Sequence, residues 1–382
     1  MIVRSHFTRS RVGIAIVAVV ACARAEGGRD PAERVVAESS LARLAVASVA
    51  DGRLICTATG ADPCPLHSAV ANWLDKDRVA LWEPGRQILL LDAASPGGRP
   101  FGRIGQGSGQ YMYATAVGRF ERSIAVVDLQ RSKLVRYKSD GAFEREDNIP
   151  RPDANSAPGF VGSIPVLQTI HSDSDSGTAR IRLQVLRTQT ERSGTTVLDV
   201  PVPWLRLMSD QAIGAAPLFP ASPRYALDTD ESIVWTPGDV FRVQRRSFDG
   251  KVRWTLTSDR AGIPVTADDI ARRREEITRT APQGFLKAGD LDSMTAHTAK
   301  VHPVVGGFVV EPRGRILVAG AATPSRDSVE YLVLTRDGVP THRFALSSRA
   351  HPLLFAGDSL LVHRPTEGEP WEVRWLVLKF PR

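Results

Sequence analysis

Three cysteines and four methionines in 382 residues, with aromatics at 7%, leave little for several classes of protein. No histidine–cysteine cluster has metal-ligand spacing, so a structural zinc site is not expected. No block of five consecutive Lys/Arg occurs despite a formal net charge of +7. The positive excess is spread along the chain as a solvated surface, and a nucleic-acid partner is not expected. A G-x-S-x-G nucleophile elbow, an H-E-x-x-H helix and a phosphate-binding P-loop are all missing. The apolar run Val12–Ala21 has ten residues, well short of the roughly 20 that a membrane-spanning helix needs.

That run instead has the length of a signal-peptide core, and Arg4, Arg9 and Arg11 supply the basic start. Residues 1–25 read as a targeting segment with two cleavage readings. Ala23-Arg24-Ala25 is an A-x-A site for ordinary secretion, whereas Val19-Val20-Ala21-Cys22 resembles a lipobox whose cysteine is acylated. The expected location is periplasmic or at the outer envelope as a lipoprotein, or else secreted, with a lipid anchor on Cys22 as the only membrane contact. Either route leaves Cys56 and Cys64 as an even pair around a turn-rich loop, suited to a disulfide in an oxidising compartment.

The remaining composition, 42% hydrophobic with 31 Gly and 26 Pro, suits one large all-β domain with many turns. An Asp-Gly hairpin recurs as YKSDGAF (137–143), SFDGKV (247–252) and TRDGV (335–339). Each follows a short apolar run and lies downstream of another (Ile124–Val127, Ile233–Trp235, Ile316–Ala319), as in a meander of four strands. More divergent units are carried by Arg78–Trp82 and Gln87–Asp92, by Phe160–Ile170, Ala179–Leu186 and Thr195–Val200, and by Pro352–Phe355, Ser359–His363 and Trp371–Leu378. Units therefore begin near 67, 111, 158, 204, 302 and 350. Less an insertion at 260–301, six units average about 46 residues and seven about 39, and propeller repeats favour the first. The third unit is read with Phe160–Ile170 as a single strand.

The stretch 99–143 carries Gly102, Gly105, Gly107 and Gly109 ahead of Gln110-Tyr111, then Ile124–Asp128, Leu134–Tyr137 and Asp140-Gly141-x-Phe143. It resembles one repeat of the NHL-like six-bladed β-propeller proteins of bacterial envelopes, with Ser108 and Gln110-Tyr111 replacing the family's proline and Glu-Phe. The resemblance implies a six-bladed β-propeller of four-stranded antiparallel blades over residues 67–382. Residues 26–66 then supply the last outer strand, from Leu44–Val49 or from Leu54–Thr57 beyond Asp51-Gly52. Thr266-Ala-Asp-Asp269 starts a short helix near 265–278, and 279–301 reads as loop, the insertion being either a lid or a tolerated surface addition.

Candidate chemistry is sparse. Gly105-x-Gly107-x-Gly109 leads into a strand, not a helix, so it does not form a phosphate cradle. Asp173-Ser-Asp175-Ser-Gly177 lacks the calcium loop's closing glutamate and reads as a hairpin turn. His67, His302 and His351 each stand one or two residues before an apolar run expected to be an inner strand. Converging at one channel mouth, on loops outside the core, three imidazoles suit a ligand, a metal ion or acid–base work. His171, His342 and His363 read as surface or hairpin residues. The function expected is an exported binding or scaffold module for a protein, peptide or glycan, monomeric and without a cofactor. The alternative is a lactonase-like or lyase-like propeller enzyme using the histidines.

Overall fold

The computed structural model describes residues 32–381, apart from 59–63, 66–67, 93–96, 150–155, 162–163, 174–177, 188–193, 204, 207–213, 216, 221, 229, 281–288, 324–325 and 367–369. Cys22 and His67 lie outside the described residues. The three Asp-Gly turns share one geometry. Gly141, Gly250 and Gly338 have φ of 93°, 89° and 76°, a region open to glycine and costly for other residues. Each glycine amide donates to the carbonyl three residues back, that of Lys138, Ser247 or Thr335. Beside each turn the strand register slips by one residue, the bulge that lets such a turn match strand twist.

The chain begins with β1 (Ala32–Val35), α1 (Glu38–Ala42), β2 (Ala45–Val46) and β3 (Ser48–Thr57). Blade 1 follows as β4 (Val70–Trp73), β5 (Val79–Trp82), β6 (Ile88–Leu91) and β7 (Arg99–Phe101). Blade 2 is β8 (Ala114–Phe120), β9 (Ser123–Asp128), β10 (Lys133–Tyr137) and β11 (Phe143–Asn148). Blade 3 is β12 (Ser156–Val161), β13 (Ile164–Asp173), β14 (Thr178–Val185) and β15 (Thr195–Pro203), after which β16 (Leu205–Arg206) and β17 (Gly214–Ala215) pair. Blade 4 is β18 (Arg224–Asp228), β19 (Ser232–Thr236), β20 (Arg242–Ser247) and β21 (Val252–Thr257), followed by α2 (Ala267–Thr280) and α3 (Asp290–Ala296). Blade 5 is β22 (Val305–Val310), β23 (Ile316–Gly320), β24 (Ser328–Leu334) and β25 (Pro340–Ser347). Blade 6 is β26 (His351–Ala356), β27 (Ser359–Pro365) and β28 (Trp371–Lys379), completed by β3.

The first strands of the blades line the centre: β4 lies against β8, β8 against β12, β18 against β22, β22 against β26 and β26 against β4. Hydrophobic clusters fill the spaces between neighbouring blades, as where Trp82, Ile88 and Phe101 of blade 1 meet Val117, Val126 and Tyr137 of blade 2. A middle strand therefore faces core on both sides. That is why β6 (ILLL) is buried throughout and reads as a continuous apolar run instead of an alternating one.

The N-terminal segment is more extensive than one closing strand. β1 adds in parallel to β21 and β2 in parallel to β25, before β3 pairs antiparallel with β28. It thus lines the outer edges of blades 4, 5 and 6 in turn. The closing strand is the second sequence candidate, Leu54–Thr57, extended back to Ser48 because Asp51-Gly52 does not turn; most of the first, Leu44–Val49, lies at β2 on blade 5. The register slips at Asp51-Gly52, and a Cβ on Gly52 would stand 2.5 Å from the Trp375 carbonyl oxygen, so the glycine permits a bulge with close backbone approach. The outer edges of blades 1 to 3 protect themselves. β7 is three residues with Pro100, β11 reads FEREDN, and β15 holds Pro201 and Pro203. Short length, charge and proline each deter a further strand.

Two further expectations change. Phe160–Ile170 is not one strand: Phe160 and Val161 end β12, Ile164 opens β13, and the two pair antiparallel. The stretch 279–301 is not simply loop, since α3 occupies Asp290–Ala296. Met294 and Leu291 of α3 pack with Ile270 and Ile277 of α2 and with Leu218, and the Leu218 amide donates to the Met294 carbonyl.

Candidate functional site

A propeller has two mouths, and here they differ in chemistry. On the side where inner strands start, Thr266 and Asp269 cap α2 reciprocally. The Thr266 amide donates to Asp269 Oδ2 at 3.0 Å, and the Asp269 amide donates to Thr266 Oγ1 at 3.1 Å. His302, three residues before β22, points its Nε2 at the same carboxylate oxygen from 3.1 Å, and its ring meets Phe219 edge-on at 4.6 Å. His302 is 0% exposed and Asp269 1%. Burial opposes the Asp269 charge, but the Thr266 amide and His302 outweigh it and hold the carboxyl at about 2.

His302 is therefore not on an open loop. It fastens the insertion to blade 5, a role whose only sequence signal is a capping aspartate 33 positions away. His351 opens β26, stacks on Trp371 at 5.8 Å and pairs in register with His363; partial burial lowers its pKa. The two described members of the histidine trio thus have separate partners. His363 is also enclosed, 1% exposed with its ring 4.4 Å from that of Trp371, and is not a surface residue. Among the described residues, no group of three or more His, Cys, Asp or Glu is arranged to hold a metal ion.

Toward the other mouth, the middle and later parts of the inner strands enclose a cavity of about 250 Å³. Trp73, Tyr225, Phe308, Pro312 and Leu353 form much of its wall, with Asn72, Asp228 and Glu311 as polar members. Both carboxylates are already engaged. Asp228, 3% exposed, is ion-paired to Arg245, itself 1% exposed. Glu311 accepts from Arg315 Nε at 2.6 Å and from the Gly357 amide at 2.6 Å. Asn72 donates to the Val117 carbonyl at 2.9 Å. The cavity presents an apolar, aromatic surface with charges neutralised at its margin, and sequence reasoning did not single out any of these residues. The available signal was position: each follows an inner-strand start by a few residues.

The glycine-rich turn is structural. Tyr111, 0% exposed, donates from its hydroxyl to the Phe101 carbonyl at 3.1 Å and accepts from the Ile88 amide at 3.0 Å. Tyr137 donates to the Gly109 carbonyl at 2.9 Å. Two buried tyrosines thus peg the connection between blades 1 and 2; burial pushes the Tyr111 phenol up to about 12. Cys56 and Cys64 are bonded to each other, beside the start of blade 1. No described helix is long and apolar enough to cross a membrane.

Fold and channel together define a six-bladed β-propeller with an apolar cavity among its inner strands. No family model matches the chain, and no curated protein matches it. Among solved structures it is similar to a member of the DUF4221 family from Bacteroides vulgatus, with TM-score 0.48 and 9% identity over 89% of this chain and 100% of that one. A protein described as exported, from Bacteroides fragilis, scores 0.45 at 9% identity over 92% and 99%. Virginiamycin B lyase from Staphylococcus aureus scores 0.39 at 10% identity over 88% and 100%. At that distance these likenesses carry no activity or ligand across to this chain.

Proposed function

We propose that the protein is an exported binding module of the NHL-like kind, which receives an apolar side chain of a peptide or protein ligand in its channel. The observation that supports this is the cavity wall: Trp73, Tyr225, Phe308 and Leu353 surround a space of about 250 Å³, while Asp228 and Glu311 are committed to arginines. Burying an apolar group there is favourable at roughly 25 cal/mol per Å², and aromatic walls are the usual anchors of peptide recognition. A glycan, with hydroxyls on most carbons, finds few open polar partners in such a wall.

The test uses short peptides that differ at one position, Leu, Phe or Ser, with binding followed by tryptophan fluorescence. Leu and Phe peptides are expected to saturate the signal, and Ala226→Trp, which fills the cavity, to abolish it. Equal binding of the Ser peptide, or no effect of the filling variant, defeats the reading. Export is read from residues 1–25 with lipidation at Cys22. Mass spectrometry of the membrane fraction checks it, and a free N-terminus at Glu26 in soluble material is the contrary result.

A further inference from the structure

Blade 1 ends in a strand of three residues, β7, where the other outer strands have six or more. The shortfall leaves the flank of blade 2's last hairpin uncovered, and an open cleft of about 450 Å³ lies between it and the glycine-rich turn. The volume is within the roughly 300–1,000 Å³ usual for ligand sites. Its floor is aromatic: Phe101 and Tyr137 meet edge-on at 5.0 Å. Phe143, beside them, stays 43% exposed, seated against Gly109, where a Cβ would stand 2.7 Å from the ring.

The polar rim is weighted toward donors. Among the described residues the exposed Arg103 side chain has no ion-pair partner, and Arg99 has only Asp92, at 3.7 Å. Gln110 accepts from the Gly107 amide through Oε1 at 2.9 Å, which leaves its NH2 for another partner. The one acid is Asp140, whose Oδ1 already accepts from the Ala142 amide. Two guanidinium groups and an amide, over an exposed ring, ask for a ligand with a carboxylate and a flat apolar face. Arginine suits a carboxylate because its fork donates two parallel hydrogen bonds.

We propose that this cleft binds a hexuronate unit of an acidic glycan, its carboxylate held by Arg99 and Arg103 and its sugar face laid on Phe143. An acidic peptide is the less suitable occupant. An extended peptide gains affinity by adding to a strand edge, and the β7 edge is three residues with no amide proton at Pro100. A sugar needs no such ladder.

Calorimetric titration of the full mature chain with trigalacturonate, beside the neutral galactose trimer and triglutamate, tests the proposal. Saturable trigalacturonate binding is expected, at least tenfold tighter than for either comparison ligand. Arg103→Ala and Phe143→Ala should each weaken it tenfold or more, and Arg103→Lys less, because the charge remains while the fork is lost. Ala226→Trp, which fills the channel cavity, should leave it unchanged, so this site and the channel reading can fail separately. Both variant positions are exposed, and circular dichroism checks the fold; Phe143→Leu serves if the alanine disturbs the turn. Absent binding, equal binding of the neutral trimer or of triglutamate, or indifference to both alanine variants overturns the proposal.

Discussion

Gly250 and Gly338 occupy the same place in the same turn and differ in what lies beyond. Their φ values are 89° and 76°, so an alanine at either costs about 1–2 kcal/mol for the left-handed backbone. Around Gly250 an added Cβ meets nothing within 4 Å. At Gly338 it would stand 2.6 Å from the Trp254 indole, which is 3% exposed and fixed by its Nε1 donating to the Arg336 carbonyl at 2.9 Å. Forcing a methyl into such packing costs a further 1–3 kcal/mol or so. Gly250→Ala should therefore destabilise by about 1–2 kcal/mol and Gly338→Ala by about 2–5 kcal/mol. The measurement is the midpoint of urea unfolding followed by circular dichroism, which avoids the altered tryptophan as a probe. Trp254→Leu and Gly338→Ala together should cost less than the sum of the two singles, because the double variant no longer has the clash. If the two alanine variants unfold at the same urea concentration, the indole does not confine this turn and the packing argument is wrong.

Arg245→Met strands the buried Asp228 carboxylate, and a loss of about 3–5 kcal/mol is expected in the same unfolding assay; adding Asp228→Asn should restore part of it. The Asp269 carboxyl, about 2 when folded against an ordinary 3.8, stabilises docking of the insertion fully above pH 4. That contribution disappears as pH falls through about 2. Hydrogen exchange in α2 should accordingly be flat from pH-corrected neutral conditions down to about 4 and then quicken, and Asp269→Ala should quicken it throughout. Free-thiol counting on the denatured, unreduced protein should find neither Cys56 nor Cys64 reactive, and reduction should cost about 2–3 kcal/mol for a loop this short.

Blades 2, 4 and 5 were legible because their turns are. Asp-Gly with a left-handed glycine is a local device, and middle strands buried on both sides leave apolar runs that survive divergence. Blade 3 was blurred because β12 ends and β13 begins within the apolar run 160–170, where Pro165 lies inside a strand and so marks no break. The seven residues of α3 are too few to hold a helix alone. Their order depends on Leu218 and α2, which no window around 290–296 contains. β1 and β2 are four and two residues that add to strands more than two hundred positions away, so nothing in their own composition announces them. The candidate sites show the same division. Sequence located His302 and His351 relative to inner strands, but the direction of a side chain depends on remote partners, Asp269 for one and Trp371 for the other. The channel cavity and the rim cleft are gaps between elements, one set by where inner strands end and the other by an outer strand that is too short.

The path of the N-terminal segment around blades 4, 5 and 6 has a consequence for the time course of folding. Synthesis delivers β3 before any blade, yet its partner β28 is the last strand of the ring to be made, and their paired residues stand more than three hundred positions apart. Pairing across such separations pays its loop-closure entropy late and slows folding. Blades 1 to 3, with their own short, charged or proline-bearing edges, can wait in the open. Blades 4, 5 and 6 draw β1, β2 and β3 from one segment, and the last of these must be held back until β28 has been made. Docking of β3 on β28 thus closes the ring only after every blade has been made, and a nascent chain interrupted before β28 would leave β3 without its partner and open to pairing with another copy.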